Sequence, residues 1–140
     1  MKYNNIKIGT EKSLQKKITK EDTALNYGSG ALKSLLASPS LAALMIEAAV
    51  TAVDPELPDE YITIGKFFQI DHINPTIEGM TVTVTAKIIE VENTKITFEI
   101  KALDELGIIG SGTHVRYIVN RERLLKKAEE RCENLENLDR

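Results

Sequence analysis

Apolar residues nearly encircle one segment in the middle of the chain. From position 40 to position 54, the polar residues are Ser40, Glu47, Thr51 and Asp54. Their spacings of seven, four and three positions place all four on one narrow stripe of an α-helix. The pattern therefore predicts a helix from Ser38 to about Val53 that is buried on most of its sides.

Both ends of this helix carry recognisable signals. Ser38 is a residue type that caps helices, and Pro39 would occupy the first helical position, where its missing N–H has no partner to lose. The helix is expected to end at Asp54-Pro55, because the residue before a proline is pushed out of the α region.

Alternating β-branched residues dominate the second half of the chain. Four strands are predicted in Tyr61 to His72, Met80 to Val91, Lys95 to Asp104 and Ile108 to Asn120. Short turns join the last three, which indicates an antiparallel sheet. Residues 1–20 suit one or two further strands, and residues 21–37 are predicted to be a loop with room for one short helix.

The last segment, residues 121–140, is predicted to be a polar helix with a thin apolar stripe. Leu125, Ala128, Cys132 and Leu135 form this stripe, at spacings of three and four. Such a stripe indicates packing of one helix edge on the body of the protein or on a partner subunit. One domain over residues 1–140 of the α+β class accommodates all of these elements.

Composition narrows the classes of function. The 140 residues carry 18 Lys+Arg and 21 Asp+Glu, a net charge of −3, and no basic face for nucleic acid is evident. The one cysteine excludes a disulfide scaffold and a zinc finger, so no metal site is expected. The longest apolar run is too short for a bilayer and the N-terminus has no apolar h-region, so a cytoplasmic protein without membrane contact is expected.

Three segments resemble one enzyme family. They are SPSLAALMIEAAV at 38–50, DHINPTIEGMTVTVTAKIIEVE at 71–92 and DELGIIGSGTHVRYIV at 104–119. Their order and spacing resemble the hotdog acyl-CoA thioesterases of the fluoroacetyl-CoA thioesterase type, over roughly residues 35–120. The resemblance implies the hotdog fold, in which an antiparallel sheet wraps around a central hydrophobic helix.

The resemblance also implies an activity and an assembly. It implies a homodimer, or a tetramer built from dimers, whose active sites lie between subunits. The expected reaction converts a small or medium acyl-CoA to a free acid and coenzyme A. No cofactor is expected beyond the coenzyme A that is part of the substrate.

Site residues follow position by position from the same resemblance. Ser38 at the helix start and His72 at the strand end match catalytic positions, while Gly65, Thr76 and Arg116 match positions expected to contact substrate. Thr76 lies in a turn where Ile77 replaces the family's proline. Arg116 suits a phosphate of coenzyme A or a carboxylate across the dimer, and a structural salt bridge is an equal alternative. His114 is interpreted as structural.

The family's glutamate is the one departure from the pattern. This chain has Ile46 at that position and Glu47 one residue later, about 100° around an ideal helix. Either the helix is locally shifted and Glu47 performs the catalytic role, or the carboxylate is lost.

The chemistry requires an activated nucleophile and a site that stabilises negative charge on the carbonyl oxygen. His72 can accept a proton from water or from Ser38, and the first-turn N–H groups after Ser38 can face the oxygen. Two other functions stay open: a hotdog protein that binds acyl-CoA without cleaving it, and, with less support, a hotdog dehydratase or hydratase. Sequence motifs for phosphate loops, Rossmann cofactors and α/β-hydrolases are absent.

Overall fold

The computed structural model describes residues 5–28 and 30–138. These described residues form two α-helices and five β-strands. The helices are α1 (Ser38–Val53) and α2 (Arg121–Leu138), and the strands are β1 (Glu11–Lys17), β2 (Tyr61–His72), β3 (Thr81–Glu92), β4 (Lys95–Asp104) and β5 (Gly107–Asn120). Short 3₁₀ turns at Lys20–Asp22 and Ala24–Asn26 fill the loop predicted before α1.

The five strands form one antiparallel sheet in the order β1-β3-β4-β5-β2. Its inner face packs on α1, and Leu41, Met45 and Ala49 of the helix are fully buried there. Strand β3 shows why: its side chains alternate between this core and the outer face, with Val82 and Val84 fully buried. The expected antiparallel sheet around one apolar helix is therefore present.

The start of α1 corrects one expectation. Ala37, not Ser38, is the N-cap residue, and no side chain caps the helix there. Ser38 is the first helical residue, so its hydroxyl is directed to a partner outside the helix. Ser40 is also buried, while Glu47 and Thr51 are exposed as the polar stripe predicts. The predicted end is confirmed, since α1 stops at Val53 and a 3₁₀ turn begins at Asp54.

The two edge strands of the sheet differ in length and character. β1 has 7 residues, three of them lysines, whereas β2 has 12 residues and carries the half-exposed side chain of Phe67. β2 pairs with β5 on one side, and a bulge interrupts this pairing between Gly65 and Phe67. Lysine-rich short edges resist strand addition, and long apolar edges invite it.

Helix α2 stands out from the sheet. The side chain of Asn120 accepts a hydrogen bond from the Arg123 N–H at 3.0 Å and so caps the helix. No residue of α2 is buried, and Leu125 and Leu135 of the predicted stripe are 51% and 61% exposed. The stripe therefore does not pack on the body of its own chain, and packing on a partner subunit stays a prediction.

Among the described residues, no helix is both long enough and apolar enough to cross a membrane.

Candidate active site

Ser38 and His72 meet where the start of α1 reaches the end of β2. The Ser38 Oγ and the His72 Nδ1 are 2.7 Å apart, a hydrogen-bond distance between residues 34 positions apart in the chain. The hydroxyl is free for this contact because the helix does not use it as a cap. A serine bonded to an imidazole nitrogen is the basic arrangement of an activated nucleophile and its general base.

This pair opens into a cavity of about 450 Å³. Ser38, Pro39 and His72 line it together with residues of the loop that precedes α1. This part of the lining is largely apolar. The loop residues that line the cavity are Ala24, Tyr27, Gly28, Leu32, Leu35, Leu36 and Ala37. The cavity is therefore suited to an apolar group whose reactive end reaches the hydroxyl.

The electrostatics of His72 favour the neutral imidazole. Burial lowers the pKa of His72 below its ordinary value of 6.5, and the backbone of Asn74 only partly opposes this effect. The second ring nitrogen, Nε2, is buried and lacks a hydrogen-bond partner among the residues that the structure describes. A neutral ring can accept a proton from the Ser38 hydroxyl, and a histidine whose pKa is lowered by burial beside a cavity is typical of a functional site.

The first turn of α1 adds positive electrostatic potential beside Ser38. N–H groups in the first turn of an α-helix have no acceptor within the helix and carry part of the positive end of its dipole. Pro39 lacks an N–H, so it contributes none of these donors. This end of the helix suits the negative oxygen that forms when a carbonyl is attacked.

Glu47 lies away from this pair. It is exposed on α1, and its backbone oxygen accepts a hydrogen bond from the Thr51 hydroxyl. Nine positions along a helix separate it from Ser38, about 13 Å at the usual rise. Ile46, at the position of the family's glutamate, is half-buried and eight positions from Ser38. The structure therefore does not bring Glu47 to His72 within one chain, and its catalytic role stays a prediction.

Thr76 is completely buried. Its hydroxyl donates to the Asp104 carboxylate at 2.7 Å, and its backbone oxygen accepts from the Leu36 N–H at 2.8 Å. These bonds fix the cavity-lining loop against the sheet. The side chain has no free surface to offer a substrate, so the environment of Thr76 favours a positioning role over the predicted contact.

Arg116 lies on β5 in a buried hydrogen-bond network. Its Nε donates to the Thr63 hydroxyl and its Nη2 to the Thr63 backbone oxygen, both at 2.7 Å. The Thr63 hydroxyl in turn donates to the Asp54 carboxylate at 2.5 Å. Burial lowers the pKa of Arg116, and the charge of Asp54 opposes this. The Arg116 side chain therefore needs no direct carboxylate or phosphate partner to hold it in place. The Thr63 hydroxyl links it by hydrogen bonds to the Asp54 carboxylate.

His114 completes this network on the other side of Arg116. Its Nδ1 lies 2.9 Å from the Phe67 backbone oxygen, which can only accept, so Nδ1 carries the proton. Its Nε2 is then the acceptor for the Nη1 of Arg116, 3.2 Å away. Gly65 lies directly against both side chains, because a Cβ there would stand 3.2 Å from the His114 Cε1. His114 is thus structural, as interpreted from the sequence.

The family resemblance places residues 28–37 at the acyl pocket, and five residues of this segment do line the cavity. Tyr27 and Ala24, which lie just before the segment, were not identified as site residues from the sequence. Exposed large apolar side chains in such a loop, including Tyr27 at 43% and Leu32 at 64% exposed, mark a binding surface.

Comparison with known proteins identifies the family. The family model described as fluoroacetyl-CoA-specific thioesterase matches residues 18–122. The chain belongs to this family. Family membership confirms the resemblance drawn from the three segments and, with it, the prediction of a thioester hydrolase.

Individual relatives agree with this assignment. The fluoroacetyl-CoA thioesterase of Streptantibioticus cattleyicolor is 32% identical over 97 residues, which cover 69% of this chain and 70% of the relative. A hot-dog-like protein from Thermanaerovibrio acidaminovorans superposes with a TM-score of 0.87 at 27% identity, covering 94% of this chain and 97% of the other. A fluoroacetyl-CoA thioesterase variant in complex with acetyl-CoA gives 0.83 at 27% identity, covering 89% and 98%. The family members therefore share the hotdog fold found here.

The described part of the chain contains no group of three or more His, Cys, Asp or Glu side chains that could hold a metal ion.

Proposed function

We propose that the protein hydrolyses acyl-CoA thioesters with Ser38 and His72 as the catalytic pair. The hydrogen bond between the Ser38 Oγ and the His72 Nδ1, at the mouth of an apolar cavity, carries this proposal. The relative that binds acetyl-CoA in its solved structure supports an acyl-CoA as the substrate.

In the proposed first half of the reaction, the Ser38 Oγ attacks the thioester carbonyl carbon while its proton passes to the His72 Nδ1. The oxygen of the tetrahedral intermediate faces the first turn of α1, where N–H groups stabilise its charge. Collapse of the intermediate breaks the C–S bond. His72 then returns the proton to the sulfur, and coenzyme A leaves as the thiol.

In the second half, water attacks the acyl ester on Ser38. His72 accepts the proton of this water and gives it to the Ser38 oxygen as the ester bond breaks. The products are the free acid and the unmodified enzyme. The pKa of His72, lowered by burial, keeps the ring neutral at the start of each half.

Thiol release from a panel of short and medium acyl-CoAs tests the activity, and mass spectrometry of the quenched enzyme tests the intermediate. We expect release from the natural protein and an added acyl mass on the peptide that contains Ser38. The Ser38→Ala variant should lose both signals. Ser34→Ala is the matched control, because Ser34 is an exposed serine of the same loop that does not line the cavity.

Two results would contradict the proposed mechanism. Thiol release that survives in Ser38→Ala at the natural rate would exclude Ser38 as the nucleophile and favour water activated by His72 alone. Thiol release that also survives in His72→Ala would contradict the assignment of the active site to this cavity.

A protein that binds acyl-CoA without cleaving it is the second candidate. The observation that favours it is Ile46, which replaces the family's glutamate and leaves His72 without a carboxylate partner among the described residues. Tight binding of acyl-CoA in calorimetry, together with no thiol release from any member of the panel, would establish this function instead.

We further propose that two copies associate through the exposed edge of β2. The opposite edge, β1, is short and rich in lysine, whereas β2 is long and carries the exposed ring of Phe67. Antiparallel pairing of β2 with its own copy would join the two sheets side by side and satisfy the backbone groups of that edge.

Light scattering coupled to gel filtration measures the mass in solution and so tests the proposed pairing. We expect twice the mass of one chain for the natural protein and a single-chain mass for Phe67→Lys. Gln15→Lys, which adds the same charge to the other edge, should keep the larger mass. A natural protein that runs as one chain would contradict the proposed pairing, and a mass of four chains would indicate a tetramer built on it.

The cytoplasmic location and the lack of a cofactor other than coenzyme A stay predictions. Cys132 is a free, exposed thiol, and a reducing compartment would keep it so.

A further inference from the structure

Strand β5 carries two glycines on the face that packs against helix α1. This glycine pair is Gly110 and Gly112, and both positions point at the core. The neighbouring strand β4 fills such positions with large side chains, since Ile96, Phe98 and Ile100 are fully buried. A glycine inside a strand weakens the strand and often marks a place where another group approaches closely.

The group that approaches the glycine pair is α1. A Cβ added at Gly110 would stand 3.1 Å from the Leu41 Cδ2 and 3.6 Å from the Met45 Cε. A Cβ added at Gly112 would stand 3.4 Å from the Met45 Sδ. Carbon atoms that are not bonded prefer separations of about 3.5–4.0 Å. The helix therefore lies closer to β5 than a strand with side chains at these two positions would allow.

The face of α1 that contacts the glycine pair is also the face that carries Ser38. Ser38, Leu41 and Met45 follow one another at spacings of three and four, which places them in one row on the helix. Leu41 lies three residues after Ser38, about 4.5 Å along the helix axis. A shift of Leu41 away from β5 would therefore move the Ser38 hydroxyl as well.

The glycine pair also lies against the strand that carries the general base. Gly110 pairs directly with His72 across β2 and β5. A Cβ at Gly110 would stand 3.0 Å from the backbone oxygen of Asp71, the residue before His72. Crowding at Gly110 would thus act on both members of the catalytic pair, on one side through α1 and on the other through β2.

We propose that Gly110 and Gly112 are positioning residues for the hydrolysis. Because they lack side chains, α1 lies close enough to the sheet for the Ser38 Oγ to reach the His72 Nδ1. This inference rests on the proposed function. The contact of 2.7 Å would no longer be a hydrogen bond if the two atoms separated by about 1 Å. The glycines act through α1 and β2, not by touching the reacting atoms.

The kinetics of Gly110→Ala test this role. We expect kcat for acyl-CoA hydrolysis to fall about 10- to 100-fold, because a misplacement near 1 Å has an effect of this size. KM should change less than about threefold, since Gly110 does not line the cavity. Gly112→Ala should show a smaller fall in kcat, because its helix contact is to Met45, one turn further from Ser38.

Ile96→Val is the control for a loss of stability without displacement of α1. Ile96 is fully buried on β4 and pairs with Arg116, away from His72. Its truncation should also destabilise the fold, but it adds no atom against the helix, so kcat should stay within about twofold of the natural value. All variants are assayed well below their melting temperatures.

A compensating change in the helix separates positioning from packing. Leu41→Val removes the Cδ2 atom that a methyl group at Gly110 would meet. In the Gly110→Ala background, Leu41→Val should raise kcat at least about threefold, whereas alone it should not raise kcat. An effect of the alanine on general stability only would give no such recovery.

Crystal structures of the natural protein and of Gly110→Ala measure the displacement directly. We expect the distance from the Ser38 Oγ to the His72 Nδ1 to exceed about 3.5 Å in the variant, and Gly112→Ala gives the same test if Gly110→Ala does not fold. An unchanged kcat, or a lower kcat with this distance unchanged, would overturn the proposal. A natural protein that releases no thiol would contradict the proposed hydrolysis, and the distance in the two structures would still decide whether the glycine pair positions Ser38.

Discussion

The two histidines of this chain occupy opposite kinds of environment. His114 is 2% exposed and uses both ring nitrogens, one on the Phe67 backbone oxygen and one on Arg116. His72 lies beside a cavity and uses Nδ1 on Ser38, while its Nε2 has no hydrogen-bond partner in the described part of the chain. Burial lowers the pKa of both rings. The two rings therefore differ in their contacts rather than in the direction of their pKa shifts: His114 is held in a buried network, and His72 is bonded to one hydroxyl beside the cavity.

Replacing His72 should have the largest effect of all, and it should be a kinetic effect. We expect His72→Ala to lower kcat for acyl-CoA hydrolysis by about 10²–10⁴-fold, because a general base is lost. The melting temperature should change little, since the ring contributes one hydrogen bond. Thiol release and calorimetry measure the two quantities, and Asp71→Asn on the outer face is the control. A large loss of stability with normal kcat would reverse the assignment of the two histidines.

Replacing His114 should show the opposite profile. His114→Ala leaves the Phe67 oxygen and an N–H of Arg116 unsatisfied in the core, at an expected cost of about 2–4 kcal/mol in the free energy of unfolding. Chemical denaturation measures this cost, with Thr113→Ala, an exposed neighbour on β5, as the control. A stability within 0.5 kcal/mol or so of the natural protein would contradict a structural role.

A methyl group at Gly65 should disturb the same network more mildly. The added Cβ would stand 3.2 Å from the His114 Cε1 and 3.4 Å from the Arg116 Nη1. We expect Gly65→Ala to cost about 1–2 kcal/mol of stability, since the two buried side chains must shift. Denaturation of Gly79→Ala, where a Cβ meets no atom within 4 Å but the φ of +99° is strained, separates crowding from backbone strain. A stability unchanged in Gly65→Ala would show that the network tolerates a small displacement.

Low pH should protonate both histidines, with a different consequence for each. Protonation of His72 should lower kcat/KM, and protonation of His114 should lower the stability of the fold. The pKa of His72 is below 6.5 in the folded chain, so kcat/KM should be independent of this group above pH 6.5 and fall as the pH drops through the lowered value. For His114 the folded pKa is also below the unfolded value of 6.5, so stability is complete above 6.5 and declines at lower pH. In His72→Ala, part of the decline in stability should persist, because His114 is intact. Loss of activity centred above pH 6.5 would contradict a neutral, desolvated base.

Strong periodicity made most of the fold predictable from the sequence. The apolar positions of α1 and the alternation in β3 each admit one burial pattern, and both elements lie within a residue or so of their predicted bounds. The strand order was not available in this way, because it depends on pairings between distant segments. The resemblance to a family supplied the fold type, and the structure supplied the strand order.

Tertiary contacts explain which features of the candidate site could not be predicted from the sequence. Ser38 is a good capping residue by type, yet its hydroxyl turns to His72, and only the folded chain brings that ring near. The link from Arg116 through Thr63 to Asp54 joins positions more than fifty residues apart, so no local pattern reveals it. Glu47 shows the limit of a family match. It lies one position after the family's glutamate, so its catalytic role stays a prediction.

Helix α1 and strand β2 are connected to each other twice. Ser38 meets His72 where the helix begins and the strand ends, and Asp54 accepts from the Thr63 hydroxyl and N–H where the helix has ended and the strand has just begun. Sixteen residues of helix, about 24 Å, separate these two points. Sliding of the helix along the strand would have to break both connections at once. The alignment of the Ser38 hydroxyl with the His72 ring is therefore also set by a carboxylate at the opposite end of α1.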